Sequence, residues 1–317
     1  MNLKISVIIP VYNASLFLRK AVYSALQLDG VQEIVLVEDK STDDSLTICQ
    51  QLAAENAKIK LYQHPDKGNH GAGATRNLGL EKAKSDYIAF LDADDYYLPN
   101  RFDAEKTIFT DPKIQGVFGA LGLEYVTEKG KEEFLDKFKD TTLTTVKFAA
   151  QGEEVFRGLV GLTTRVFGSF FHLNTLTVKK SALLKNDLRF NKSLRVHQDS
   201  DFIIKLAHLA YLKSGIIDTA IAIRGVHDNN RITKIKPYSK QFYRNNLMLH
   251  QSLYDWSKTI PLDTVYSKKI KLDYLSFKIA HEKGLKKWFL YGITSILHPE
   301  FLKTRYRFHA LNTPYDS

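Results

Sequence analysis

ISVIIPVYN, residues 5–13, is apolar at nearly every position up to Val11. A strand with one wet face alternates apolar and polar residues, so a near-continuous apolar run marks a strand covered on both faces. Three later stretches also read as strands: EIVLVED (33–39), IKLYQ (59–63) and DYIAFLD (86–92). Between them lie helical patterns. Asn13 is expected to cap a helix reaching about Leu26, with Leu16, Leu18, Ala21, Val22 and Ala25 inward. Ser41 is expected to cap the next, with Asp44 three residues on, and ATRNLGLEKAK (74–84) reads as the third. Strands alternating with helices imply an α/β fold with a mostly parallel sheet covered by helices.

In such sheets, ligands gather beyond the carboxyl ends of the strands. Pro10 to Asn13, Glu38 to Ser41 and Asp92 to Asp95 all lie at such ends, so these polar clusters are expected to share one cleft. The last of them places Asp92, Asp94 and Asp95 at the mouth of a buried strand, where like charges repel and solvation is poor. A cation or a set of hydroxyls would relieve that. Asp43 and Asp44 read as first-turn helix residues favoured by the helix dipole. The glycines of NHGAGATRNLG do not make a dinucleotide fingerprint, because five residues separate Gly73 from Gly79. They read as a polar loop feeding a helix whose amino end and Arg76 can meet an anionic group.

Composition bounds the class. A chain of 317 residues, 44% hydrophobic and 25% charged, has material for one large domain with an appendage. The single cysteine, Cys49, excludes an internal disulfide framework and a thiolate metal cluster, and fits a buried helix face in a reducing compartment. No signal peptide is read at the start, and the longest tail run, FLYGITSIL (289–297), is too short to span a bilayer. A cytoplasmic protein is expected, in places peripheral to the membrane's cytoplasmic face.

SVIIPVYN, VLVEDKSTDDS, GNHGAGATRNLGL, FLDADD and HQDSDFIIKLA (197–207), in this order, resemble the motif set of the family 2 glycosyltransferases of GT-A fold, over about residues 3–230. The resemblance implies a Rossmann-like GT-A sheet and transfer of a sugar from a nucleotide diphosphate, with a UDP-sugar favoured over a GDP-sugar. It implies that Asp92 and Ala93 lie at the donor and that Asp94 binds Mg2+ or Mn2+, with His227 of IRGVHDNN beside the metal or phosphates. Pro10, Tyr12 and Asp39 match the nucleoside pocket, Tyr12 packing on the base and Asp39 accepting its ring hydrogen. Arg76 joins the donor site. Asp199 matches the general base of an inverting reaction, although Gln198 stands where the family usually has Glu; by local sequence alone, Asp199 reads equally as a helix cap. The resemblance also implies a glycan or glycolipid acceptor. Readings from other classes are a sugar-nucleotide pyrophosphorylase, which lacks its Gly-rich, Lys-bearing amino-terminal loop here, and a non-catalytic sugar-nucleotide sensor.

The catalytic domain is expected over 1–234, with a nucleotide-sugar half to about 118 and an acceptor half from 119. Residues 121–170 are expected to hold a short hairpin and helices, and SFFHLNTL (169–176) to line the acceptor side or the core. From residue 235 the chain has 14 Lys and Arg against 6 Asp and Glu, and 15 of its 37 aromatic residues. This helical extension, 235–317, suits an anionic membrane surface, packing on the catalytic domain, or a homodimer face. No nucleic-acid recognition motif accompanies the charge.

Overall fold

The computed structural model describes residues 3–138, 142–168, 170–228, 230, 234–312 and 315. Ser169, Asn229 and parts of the tail singled out above lie outside them. The chain divides into two compact units, one of residues 1–195 and 202–229, the other of 196–201 and 230–317.

The first unit runs β1 (Ile5–Val11), α1 (Leu18–Leu26), β2 (Val31–Glu38), α2 (Ser45–Glu55), β3 (Ile59–Gln63), α3 (Ala72–Lys82), β4 (Tyr87–Phe90), β5 (Tyr96–Tyr97), α4 (Asp103–Ile108), β6 (Gly116–Phe118), β7 (Ala120–Tyr125), α5 (Glu128–Phe138), α6 (Glu153–Leu159), β8 (Leu176–Lys179), α7 (Lys180–Lys185), the part of α8 (Gln198–Leu209) from residue 202 on, β9 (Leu212–Ser214) and β10 (Ala220–Val226). Among the described residues, seven strands form a sheet in the order β3-β2-β1-β4-β8-β6-β9. Pairing is parallel from β3 through β4 and antiparallel on either side of β8. A smaller sheet, β5-β10-β7, holds β10 parallel to β7 and antiparallel to β5.

The four expected strands are present, and β1 is buried along almost its whole length. Its one polar interior residue, Ser6, donates to Glu33 Oε1 at 2.5 Å and accepts the Ser85 amide at 3.0 Å, so no polar group is stranded there. Helix α3 lies close on β1 because residue 79 is glycine. A Cβ there would come within 2.4 Å of Ile8 Cγ2. Cys49 is fully buried on α2, and burial pushes its thiol up to about 12.

Two expected helix starts are corrected. Helix α1 begins at Leu18, and Leu16 is 89% exposed. Asn13 takes a left-handed φ of 49° and spends its side chain on the Thr42 amide at 2.8 Å instead of capping. Ser41 does not cap α2, which begins at Ser45. Its amide bonds Glu38 and its hydroxyl accepts from the Asn13 amide. Both caps were displaced by bonds between the loops after β1 and β2. Asp43 ties the same loops, accepting Ser15 N and Ser45 N at 3.0 Å each. In the stretch 121–170 the described residues give most of β7, two helices and isolated bridges, not a paired hairpin.

The second unit is helical beyond the α8 amino end: α9 (Lys240–Ser257), α10 (Thr264–His281), α11 (Gly284–Leu297) and α12 (Thr304–Leu311). Ser239 caps α9 through the Phe242 amide. Leu272, Ile279, Phe301, Tyr306 and Ala310 form one core cluster, and Tyr243, Phe277 and Ala280 another. Among the described residues, no helix is long and apolar enough to cross a membrane.

Candidate active site

Strands β2, β1 and β4 lie side by side, so the loops after them open at one sheet edge. The acidic segment leaves β4 there, and its three carboxylates have different surroundings. Asp95 is only 4% exposed. Its Oδ1 accepts the Gly225 amide at 2.9 Å and its Oδ2 accepts Asn174 Nδ2 at 2.5 Å. Burial, then the charges of Asp94 and Asp92, push its carboxyl well above the ordinary range. The approach of β10 requires glycine at 225, where a Cβ would sit 2.6 Å from the Asp94 carbonyl oxygen. Asp95 therefore organises the segment, with both oxygens engaged by the protein.

Asn174 does the complementary work. Its Oδ1 accepts the Asp92 amide at 3.0 Å while its own carbonyl accepts Arg101 Nε at 2.9 Å. Arg101, fully buried, also pairs with Glu105 at 2.7 Å and donates to the Leu176 carbonyl at 3.0 Å. One buried cation thus anchors the residue that shapes the acidic turn.

Asp92 meets Arg76 Nη2 at 2.5 Å, with His172 Nε2 3.9 Å away. Burial opposes its ionisation, but Arg76, His172 and Arg224 outweigh that and hold the carboxyl below its usual value. The anionic partner that Arg76 finds in this structure is the Asp92 carboxylate. Its Nε is buried without a hydrogen-bond partner among the described residues. Asp94 is the more open carboxylate, its side chain 34% exposed, and His227 Nε2 lies 3.1 Å from its Oδ2. Phe17 stacks on the His227 ring at 4.7 Å and fixes its plane. Ala93 between the two aspartates is buried.

At the acidic turn the described residues bring ligands of metal-binding type together in two ways: Asp94 with His227, and Asp92, Asp95 and His172, whose ligand atoms fall within 4.8 Å of one another. Carboxylate oxygen with at most one imidazole suits a divalent cation such as Mg2+ or Mn2+. The second grouping is the poorer fit, because Asp95 already accepts two protein hydrogen bonds and Asp92 is paired with Arg76.

Beyond β2, Asp39 is buried and accepts the His70 amide at 2.7 Å on Oδ1 and the Gly71 amide at 2.8 Å on Oδ2. Asn69 Nδ2 donates to its carbonyl at 2.8 Å. The loop before α3 is thereby folded onto Asp39, whose oxygens each keep a further lone pair. His64 Nε2 is 3.6 Å from Asp39, and its ring lies 4.2 Å from that of His70. Tyr12 is 53% exposed and Pro10 partly buried at the end of β1. Asp199 sits in the first turn of α8, not at its cap, half-buried, with Oδ1 accepting the Ser200 amide at 2.9 Å.

Sequence reasoning missed His172, Asn174, Arg224, His64 and His70 as neighbours of this site. His172 and Asn174 fall within the stretch offered only as acceptor lining or core. In that stretch Phe171 is core, stacked on Phe118 at 3.9 Å, while Phe170 is 37% exposed. A cavity of about 290 Å³ lined by Gln27, Leu28, Asp29, Pro99, Phe102 and Lys106 contains none of the site residues.

The sheet order, the covering helices and the acidic turn beyond β4 define a glycosyltransferase domain of GT-A fold. Residues 6–140 match the Glycosyl transferase family 2 model, and this part of the chain belongs to that family. An uncharacterised glycosyltransferase of Haemophilus influenzae is 39% identical over 102 residues, 32% of this chain and 40% of that protein. The GalNAc(5)-diNAcBac-PP-undecaprenol beta-1,3-glucosyltransferase of Campylobacter jejuni is 26% identical over 258 residues, 75% of this chain and 78% of its own. Staphylococcus aureus TarS 1–349 in complex with UDP-GlcNAc shares the fold with a TM-score of 0.60 at 19% identity, over 91% of this chain and 78% of that one. The chain spans between 20% and 40% of the length of five other curated relatives, counting the Haemophilus protein.

Proposed function

We propose that the protein transfers a hexose or N-acetylhexosamine from a UDP-sugar to a hydroxyl of a glycan or lipid-linked acceptor, with inversion at the anomeric carbon. The observation that carries this reading is the acidic turn itself: Asp95 and Asn174 hold Asp92 and Asp94 at the end of β4, with Asp94 open and beside His227. The UDP-GlcNAc named with TarS and the undecaprenol-linked acceptor named for the Campylobacter relative support the donor and acceptor classes.

In this reading residues 1–234 are the catalytic domain and 235–317 an extension. Tyr12 and Pro10 border the nucleobase, and Asp39 accepts its ring N–H through a remaining lone pair. Asp92 accepts from donor hydroxyls, oriented by Arg76. Asp94 and His227 would hold Mg2+ or Mn2+, which when bound neutralises diphosphate charge. Asp199 takes the proton of the acceptor hydroxyl as that oxygen attacks. A sugar hydroxyl is too weak an acid to ionise unaided near neutral pH, so the transfer needs a carboxylate within hydrogen-bond reach.

The test is calorimetric titration with UDP, with and without Mn2+, on the native chain and on Asp94→Asn and Asp199→Asn, together with turnover of UDP-GlcNAc. Asp94→Asn should abolish the metal-dependent part of the affinity. Asp199→Asn should leave UDP affinity unchanged and lower turnover on the order of a hundredfold. Metal-independent UDP binding would remove Asp94 from its role, near-normal turnover in Asp199→Asn would remove the base, and a retained product anomer would refute inversion.

A further inference from the structure

Helix α11 is turned the wrong way round for a helix of a water-soluble surface. By the 3.6-residue repeat, Leu285, Trp288, Phe289, Gly292 and Ile296 share one face, with Lys287, Tyr291 and Thr294 opposite. Burial of the apolar face would be the ordinary outcome. Here Leu285 is 89% exposed, Ile296 79%, Phe289 65% and Trp288 60%, whereas Lys287 and Thr294 are each 8% exposed. The inward placement is fixed by chemistry: Lys287 Nζ reaches the Asn312 carbonyl at 2.7 Å, and Leu290 and Tyr291 pack on the cluster of Leu272, Ile279, Phe301, Tyr306 and Ala310. Leu297 and Leu302, 68% and 50% exposed, extend the apolar surface beyond the helix end.

Charge selects the occupant. Exposed Lys283 and Lys286 stand at the amino end of this face, and exposed Lys303, Arg305 and Arg307 follow its carboxyl end. The acidic residues of the same stretch are already committed, Glu282 to Lys286 at 2.7 Å and Glu300 to Lys268. A second copy of this chain seated face to face would set cations against cations. A surface of lipid phosphates over acyl chains matches both the basic flanks and the large apolar side chains. With no described helix able to cross a membrane, α11, about 21 Å long at ~1.5 Å per residue, can only lie along one.

We propose that α11 seats this protein on an anionic bilayer, with Leu285, Trp288, Phe289 and Ile296 entering the acyl boundary and Lys283, Lys303, Arg305 and Arg307 meeting lipid phosphates. The inference stands on the second unit alone and does not depend on the transferase reading. The test is co-sedimentation of the full chain with phosphatidylcholine vesicles lacking or containing phosphatidylglycerol, at low and high salt, with Trp288 emission read in a Trp256→Phe background. Binding should require phosphatidylglycerol, weaken with salt and shift Trp288 emission to the blue. Phe289→Ser/Ile296→Ser, both on exposed positions, should keep the parent's circular dichroism and thermal midpoint and lose at least about tenfold in partitioning. Lys283→Ser and Arg307→Ser should each lose about fivefold at low salt, the equivalent of ~1 kcal/mol per basic residue. No binding by the parent, or equal binding by Phe289→Ser/Ile296→Ser, overturns the proposal. So does a concentration-dependent dimer, seen by light scattering and abolished by that same variant, in a protein that ignores vesicles.

Discussion

Replacing Asn174 with Ala removes two hydrogen bonds that lie at the centre of the acidic turn. One, to the Asp92 amide at 3.0 Å, is a neutral bond, worth about 1 kcal/mol. The other, to Asp95 Oδ2 at 2.5 Å, leaves a buried acceptor unpaired when it is lost, at a cost of about 2 kcal/mol. The expected loss is therefore about 3 kcal/mol of stability in the first unit, because Asp95 is too buried for water to take the amide's place. Both tryptophans, Trp256 and Trp288, lie in the second unit, so urea unfolding of the first must be followed by far-ultraviolet circular dichroism. The midpoint should fall at unchanged slope, and UDP should bind more weakly as the turn loosens. The exchanged pair Asp95→Asn/Asn174→Asp keeps an amide facing a carboxylate with the donor on the other side, and should recover more than half of the lost stability. A loss below about 1 kcal/mol in Asn174→Ala, or an exchanged pair no better than the single variant, would refute this account of the turn.

Two further outcomes are expected. Arg101→Met should cost about 3–5 kcal/mol by stranding the buried Glu105, whose carboxyl burial already pushes up against the pull of Arg101. Adding Glu105→Leu should restore much of that in the same urea assay, and failure to do so would show that the carbonyl contacts of Arg101 matter more than its charge. His250, stacked on Phe277 at 4.8 Å with Asp273, Lys269, His197 and His309 around it, is lowered by burial from 6.5 to about 4. Its unfolded form thus binds the proton first, so its contribution is fully present above pH 6.5 and is lost as pH falls toward 4, by up to about 3 kcal/mol. Tryptophan-monitored unfolding should show that slope in the parent and a shallower one in His250→Phe; identical slopes would clear His250 of the effect.

The parallel core of the fold was legible because its determinants are local. Ile5–Val11, residues 34–37 and Tyr87–Phe90 announce themselves as apolar runs, while Ile59–Gln63 alternates as an outer strand does, and the polar loops that follow β1, β2 and β4 inherit their place at one sheet edge from chain direction alone. Helix starts were less legible, since Asn13 and Ser41 have the residue types of caps but are drawn into bonds between loops that sequence cannot see. The same holds within the acidic turn. Family resemblance told Asp92 from Asp94, but local sequence says nothing of their surroundings, and only the approach of Asn174 and Gly225, 79 and 130 residues from Asp95, makes that residue buried and structural while Asp94 stays open beside His227. In the tail, the sequence supplied a basic, aromatic, helical segment without saying which way its helices face. Packing of Leu290 and Tyr291, and the bond from Lys287 to the Asn312 carbonyl, decided that the apolar face of α11 points to solvent, because orientation is set by what a helix packs against and not by its own periodicity.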